Sequence, residues 1–562
     1  MSRSFTLVSV TLLATSICFH TFFSGWGIPS PIDHDAEVGY GVVFNPADNL
    51  SYASWSQQAK FGASVFSDLY TTTPHRPLLF NPFFLMVGQV AKLSSTDPIV
   101  IMNIVALLCI PVFVISIGQI CSFLQLSKPT SFAVLCFALG GGGVSWLRYA
   151  LGKMEWLGFL GARSLGPDLS YYDLYPAISF TIYPYHAMAI ALLAALISHI
   201  VRYDRPGHAF PLKEKAGLAT IALALASSRP YEPILLFASY CGVFLLSFLF
   251  DLPKELRSRR GEVLTCLALG LLPALGYSFW VSTQPIWEGF ASQSIDLQGG
   301  RSWCAGFLLL WSFAAYGMLE PETRSLTQPT SFLVVWSLLS ALLLLVLSSG
   351  MTKLCGGCTI PLAIVGGAGL ERLHLSIRGK RSAAVAVAGV GLLSLGSPAL
   401  AHRSFLTTPR RVSADLLRAQ AEIRKHSDSN TPVVLTDSTT GSLLPGLAGF
   451  RVFCGHWALT DHYPQRRLVL KELGLNPALP KQHSWAHSES AGSQTGLLRN
   501  QVSHGVFGYL LVRHDQELST LFEREGSEAL VYEGTTYRVL RMNSSIRALL
   551  EERFETMEAD AI

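Results

Sequence analysis

Long apolar runs fill the first 400 residues of this chain and then stop. They fall at about 5–23, 98–121, 130–148, 180–201, 216–228, 233–250, 263–283, 305–319, 331–350, 359–373 and 382–400. A helix of about 20 apolar residues crosses the hydrocarbon of a bilayer, because no other open structure satisfies its own backbone there. Charge follows the same division. Charged residues make up 14% of the 562, against about 25% in an ordinary soluble protein. From Ala401 onward there are 18 basic and 18 acidic residues in 162 positions, about 22%, while the first 400 hold 44, about 11%. The expectation is a polytopic α-helical membrane part over residues 1–401, with about 11 spans, and a water-soluble α/β domain over 402–562.

The run from Phe5 to Phe23 follows Arg3 and precedes no small-residue cleavage site, so it reads as an uncleaved signal-anchor. Basic loops set the sidedness. Arg202, Arg205, Lys213 and Lys215 fill one, Lys254, Arg257, Arg259 and Arg260 another, and Arg372, Arg378, Lys380 and Arg381 a third. Such loops stay in the cytoplasm. Parity then requires that Leu79–Leu93, a short stretch containing Pro82, is re-entrant or partial. The segments 25–78, 149–178, 229–232, 284–304 and 351–358 fall on the outer face, as does the C-terminal domain.

In that domain Ala414–Lys425 is patterned as a helix, 431–437 as a buried strand ending in Asp437, and 509–512, 529–532 and 537–540 as further strands. Residues 480–500, rich in Ser, Gly and His, read as a loop. The ten Cys show no disulfide spacing, and Cys355-x-x-Cys358 stands alone without a second ligand pair. A net charge of +4 with no basic stripe argues against nucleic acid as a partner.

The polar groups of interest gather on the outer side. The first loop holds Asp33, Asp35, Glu37 and Asp48, then Tyr52 and Trp55. Asp48 stands just before a stretch patterned as an amphipathic helix of about 49–61, where it is either a helix cap or a general base at the membrane boundary. His75 and Arg76 lie between two prolines, an imidazole and a cation suited to a phosphate or simply to solvent. The run GGGGVSWLRY (140–149) suits close helix packing better than a phosphate cradle. His186 lies early in a span, where an ionisable group is a functional candidate. Arg229 and Glu232 in SSRPYEP are close enough in sequence to pair with each other. Arg301 and Lys353 add outer cations, which serve a phosphate-bearing substrate or lipid headgroups. In GHWALTDHYP, His456, Asp461 and His462 form a weak metal pattern.

Taken together, NPADNLSYASWSQQAKFG, TTTPHRPLLFNPFF, the Gly-rich turn with WLRY, SFTIYPYHAMAIALL, SRPYEPILL and GLAGFRVFCGHWALTDHY resemble GT-C-type membrane glycosyltransferases. The closer likeness is to an uncharacterised bacterial group related to protein mannosyltransferases and aminoarabinose transferases. The resemblance implies a polyprenyl-phosphate-sugar donor entering from membrane lipid, a lipid or glycan acceptor, and inverting transfer at the outer face of the bacterial inner membrane. It implies Asp48 as base, with Asp35 and Asp33 behind it. Tyr52, His75, Arg76, His186, Arg229 and Lys353 would bind substrate. It leaves a divalent cation, Mg or Mn, open beside Asp33 and Asp35. The chain departs from the group's pattern where Cys-Gly-Gly-Cys follows Lys353 and Leu354, and where Arg229 replaces an expected His. Two other readings share these features: a non-catalytic membrane scaffold, and a lipid-linked saccharide transporter. The transporter would be expected to show repeated halves or charges deep in several spans.

Overall fold

The computed structural model describes residues 37–42, 45–141, 176–204, 210–287, 307–319, 325–346, 354–399 (without 355, 378, 397 and 398), 411–475, 488–514, 516, 518 and 528–560. They form two compact units: the described residues within 102–280 and 294–408 make one, and those within 24–101, 281–293 and 409–562 make the other. The units do not follow the linear division at 401/402, since the first long loop belongs with the C-terminal segment.

The first unit is helical. Four helices among the described residues are long and apolar enough to cross a membrane: Pro98–Phe123, which starts in the other unit, Pro184–Tyr203, Tyr231–Leu249 and Lys254–Ser282. Shorter apolar helices lie at Lys128–Gly140, Leu308–Met318 and Ser331–Val346. The expected span at about 180–201 is present as Pro184–Tyr203, starting a few residues later because Pro184 opens a new helix after Pro176–Ile182. Arg260, counted above as a loop cation, is fully buried. Its Nε lies 3.3 Å from both carboxylate oxygens of Asp204, and its Nη2 donates to the Leu326 carbonyl at 2.6 Å. A buried guanidinium must be paired in this way.

The second unit is α/β. Its strands are β1 (Glu37–Gly39), β2 (Arg411–Ser413), β3 (Val433–Leu435), β4 (Arg451–Val452), β5 (Tyr509–Arg513), β6 (Leu530–Glu533) and β7 (Tyr537–Arg541). Its principal helices are α1 (Pro46–Lys60), α2 (Pro82–Leu93), α3 (Ala414–His426), α4 (Ser438–Ala448), α5 (Tyr463–Glu472), α6 (Ser488–Ser503) and α7 (Ser544–Asp560). Five strands form one sheet in the order β4-β3-β5-β7-β6, parallel at β4-β3-β5 and antiparallel beyond. The expected strands at 431–437, 509–512, 529–532 and 537–540 are all present. Asp437 follows β3 and caps α4, accepting the Thr439 and Thr440 N–H groups at 2.8 and 2.9 Å. Residues 488–503 are helical rather than loop, because Leu498 and Val502, four apart, enter the core with Leu435, Phe453, Val469 and Leu510.

The first loop joins this fold through its backbone and its helix. β1 pairs antiparallel with β2, Val38 opposite Val412. Helix α1 starts at Pro46, three residues earlier than expected, and it is not amphipathic, since every residue from Asn49 to Ala59 is buried. Its polar side chains survive burial by bonding locally or to fixed partners. Ser51, Ser54 and Ser56 donate to the carbonyls of Ala47, Ser51 and Tyr52. Gln57 reaches the Leu447 carbonyl at 3.2 Å, and Gln58 pairs with both backbone groups of Ser67. Helix α2, at 12 residues, spans about 18 Å and is too short to cross about 30 Å of hydrocarbon. It packs on α1, with Tyr52 stacked on Phe84 at 5.7 Å. Trp287 contacts Trp55 at 6.0 Å, tying in residues 281–287.

Two glycines permit these crossings. A Cβ on Gly88 would lie 2.5 Å from the Ser56 carbonyl oxygen, and one on Gly446 would lie 2.6 Å from the Leu50 carbonyl oxygen. Gly88→Val or Gly446→Val should therefore each destabilise the protein by about 1–3 kcal/mol, seen as a lower thermal midpoint of the purified full-length chain. Gly217→Ala, facing open space in a helix, should be neutral or gain up to about 1 kcal/mol.

Candidate active site

Asn45 precedes α1 in the left-handed region (φ 39°), which Asn tolerates better than other side chains. Pro46 then supplies a ready-made φ for the first helical position. This turn aims the Asn45 amide at Asp48, donating to Oδ2 at 2.6 Å. Asp48 sits in the first turn rather than before it. Its carboxylate faces the positive end of the helix dipole, and its side chain is 33% exposed just ahead of the buried run Asn49–Ala59. The other oxygen, Oδ1, lies 3.7 Å from His456 Nε2.

The tight turn 455–460 positions His456, which is buried. The Thr460 hydroxyl accepts the N–H groups of Gly455 and His456 at 3.0 and 3.2 Å and donates to the Tyr70 carbonyl at 2.8 Å. The imidazole Nδ1 accepts the N–H groups of Ala458 and Leu459 at 3.0 and 3.2 Å. Tyr70 and the exposed Trp457 lie against the ring, with centroids at 5.5 and 6.0 Å.

A second network holds the loop that follows. Arg466 is fully buried and donates to the Phe453 carbonyl (2.7 Å), Gln494 Oε1 (3.2 Å), Thr73 Oγ1 (2.7 Å) and Asp461 Oδ2 (2.7 Å). Asp461 in turn accepts the hydroxyls of Thr71 and Thr73. Thr72 bonds to Gln501 through its hydroxyl and its carbonyl, at 2.6 and 3.3 Å. Beneath the loop, Asp68 is wholly buried. Its Oδ1 accepts the Tyr70 N–H at 2.8 Å, and Oδ2 has no hydrogen-bond partner among the described residues. Burial, reinforced by nearby Asp461 and opposed by Arg451 and Arg466, pushes its carboxyl up to about 8.

No protein-family model and no curated protein matches the sequence. Solved structures do. The chain is similar to ArnT from Cupriavidus metallidurans in the apo state, at TM-score 0.51 and 12% identity over 96% of this chain and 99% of that one. The same protein bound to undecaprenyl phosphate matches at 0.50 and 12%, over 96% and 98%. Arabinofuranosyltransferase AftD from Mycobacteria matches at 0.50 and 14%, over 97% of this chain and 40% of that one. The chain has a GT-C-like fold.

Within that GT-C-like frame, Asp48 and Tyr52 share α1, one half-exposed and one buried in the aromatic contact with Phe84. His75 has both ring nitrogens in use: Nδ1 donates to the Thr73 carbonyl at 2.8 Å, and Nε2 accepts the Asp68 N–H at 3.0 Å. Burial also lowers its pKa, so it supplies no cation. Arg76, beside it, is exposed. In the helical unit, His186 is buried and stacked on Tyr183 at 4.7 Å. Arg229 pairs with Glu232 at 2.9 Å, the outcome expected from their spacing alone. Asp33, Asp35, Lys353, Cys355, Arg301 and the run 142–149 lie outside the described residues. His456 and Asp461 are engaged as above, and no group of three His, Cys, Asp or Glu gathers as a metal-ligand set among the described residues. Arg466 was not singled out in the sequence. Its spacing from Val469, Leu470 and Leu473 places it on the buried face of α5, which is the signal that identifies it.

Two outcomes follow. Arg466→Met leaves Asp461 without its cation and should cost about 3–5 kcal/mol, read as a lower thermal midpoint and faster proteolysis near residues 71–73. Asp68 binds its proton more tightly folded than unfolded. The native state therefore holds the extra proton between the ordinary carboxylate range and about 8, and stability falls as pH rises through that window. Asp68→Asn should raise the thermal midpoint at pH 8.5, change it little at pH 5, and flatten the slope between.

Proposed function

We propose that this chain is a membrane glycosyltransferase that moves a sugar from a polyprenyl-phosphate donor to an acceptor hydroxyl, with inversion and with Asp48 as base. The observation that carries this reading is the Asp48 carboxylate, held by Asn45 at the start of a buried helix and partly open to solvent. The GT-C-like fold supports it, and the similar ArnT is a protein whose structure is bound to undecaprenyl phosphate. The acceptor oxygen attacks the anomeric carbon, its proton passes to Asp48, and the bond from that carbon to the phosphate oxygen breaks. Polyprenyl phosphate leaves with the electron pair. No bond to the enzyme forms, so one displacement inverts the centre.

The departing phosphate needs a fixed cation. The exposed Arg76 guanidinium suits that task through paired N–H donors. Arg229 is less suited, because Glu232 already balances its charge. Lys353 is a second cation in this proposal, and Asp35 and Asp33 are the reserve bases or the ligands of a divalent cation. The remaining apolar segments complete eleven spans, and the C-terminal domain lies on the extracytoplasmic side of a bacterial inner membrane. The basic loops around Lys213, Arg257 and Lys380 support that orientation.

Sugar transfer in membranes from a panel of radiolabelled polyprenyl-phosphate sugars tests the reading. Asp48→Asn, at equal protein level, should lower transfer by about 10²–10⁴-fold. Arg76→Ala should weaken it less and mainly through the donor. Transfer that survives Asp48→Asn unchanged moves the base to Asp33 or Asp35. Absence of transfer from every donor removes the enzyme reading.

A further inference from the structure

We propose that His456 is the positioning residue of the Asp48 carboxylate, a hydrogen-bond donor from the C-terminal segment that fixes the orientation of the base. This rests on the reading of Asp48 as base. The tautomer carries the argument. Two backbone N–H groups, of Ala458 and Leu459, converge on Nδ1. A nitrogen that receives two donors presents its lone pair, so the proton of the neutral ring is on Nε2. That N–H is buried and has no hydrogen-bond partner among the described residues. Asp48 Oδ1 faces it at 3.7 Å.

This separation is longer than a hydrogen bond, and a side-chain shift of about 0.7 Å closes it. The other Asp48 oxygen is already held by Asn45. With a donor on each oxygen the carboxylate cannot swing, and each oxygen keeps a further lone pair for a hydroxyl proton. The ring itself cannot swing either. Thr460 holds the His456 backbone, and Tyr70 and Trp457 lie against the imidazole. The residue is therefore built as a fixed donor rather than as a proton acceptor, with the acceptor nitrogen turned toward its own turn.

Two variants separate this role from a purely structural one. Asn at 456 puts an amide oxygen near the place of Nδ1, so it can keep the turn, but it is too short to reach Asp48. Gln can place its amide N–H near the place of Nε2 but loses the acceptor at Nδ1. In the full-length protein, His456→Asn should lower kcat for transfer from a polyprenyl-phosphate sugar by about 10–100-fold, the usual loss when a group that orients a functional side chain is removed. Donor KM should stay within about twofold, and His456→Gln should retain more activity than His456→Asn. The reverse order, with Asn near wild type and Gln impaired, assigns His456 to the turn alone and overturns the proposal.

A readout independent of turnover completes the test. With ¹⁵N-labelled histidine, the Nε2 resonance of His456, assigned by its loss in His456→Asn, should move in Asp48→Asn. An unmoved resonance overturns the pairing. If wild type transfers no sugar from any donor, the glycosyltransferase reading fails separately, and the resonance alone decides whether His456 positions Asp48.

Discussion

Arg466 carries a permanent charge with no exposed surface, and the arrangement of the α/β unit follows from how that charge is satisfied. Its donors reach the backbone of Phe453, the amide of Gln494, the hydroxyl of Thr73 and the carboxylate of Asp461. Thr73 lies 393 residues away in the chain. Closing so long a loop costs entropy that grows only slowly with length, but the cost must still be met by contacts formed together. They are formed together here: the Thr71 and Thr73 hydroxyls on Asp461, Thr72 on Gln501, the Thr460 hydroxyl on the Tyr70 carbonyl, and the β1–β2 pair. None of these has its partner in its own segment, so the first loop and the C-terminal segment fold as one body.

That mutual dependence explains what could be read in the sequence. The contrast in charge density marks the long apolar helices, because the two solvents impose different compositions, but it does not reveal that the first loop folds with the C-terminal segment. The strands at 433–435, 509–513 and 537–541 showed themselves through β-branched and aromatic runs. Asp48 stood out as an acidic group before a helix. What stayed hidden was set by tertiary burial. The serines and glutamines of 49–59 look like a solvent-facing stripe, and the Leu447 carbonyl, 390 positions from Gln57, is a partner that no local window contains. Residues 488–503 have loop-like composition, and Leu498 and Val502 become a helical anchor only where a core receives them. The pairing of His456 with Asp48 had no local signal, since 408 positions separate them.

Two carboxylates of the first loop show how environment divides labour. Asp68 is sealed among Asp461, Tyr70 and two guanidinium groups, and burial holds it protonated through neutrality, up to about 8. It serves as a neutral hydrogen-bonding strut for the turn that leads into Tyr70. Asp48, twenty residues earlier, has an amide donor on one oxygen, a helix N-terminus behind it and an opening to solvent. Only the second arrangement lets a carboxylate meet an external hydroxyl. Placing both in one loop requires that the loop be rigid, because a shift that exposed Asp68 would also move the Tyr70 backbone to which Thr460 is bonded.

The C-terminal segment is therefore more than a separate module appended to a GT-C-like helical unit. It supplies His456 to Asp48, Arg466 to the 71–73 loop and Gly446 to the surface of α1. Without it, α1 would lose the partners of Gln57 and the cover over Leu50, and its buried polar face would meet water instead. A helix of serines and glutamines has little reason to form alone, since short isolated helices are marginal. The start of α1 is thus tied to the C-terminal fold, and Thr460, which holds the His456 backbone, is connected to the Asp48 carboxylate through that imidazole.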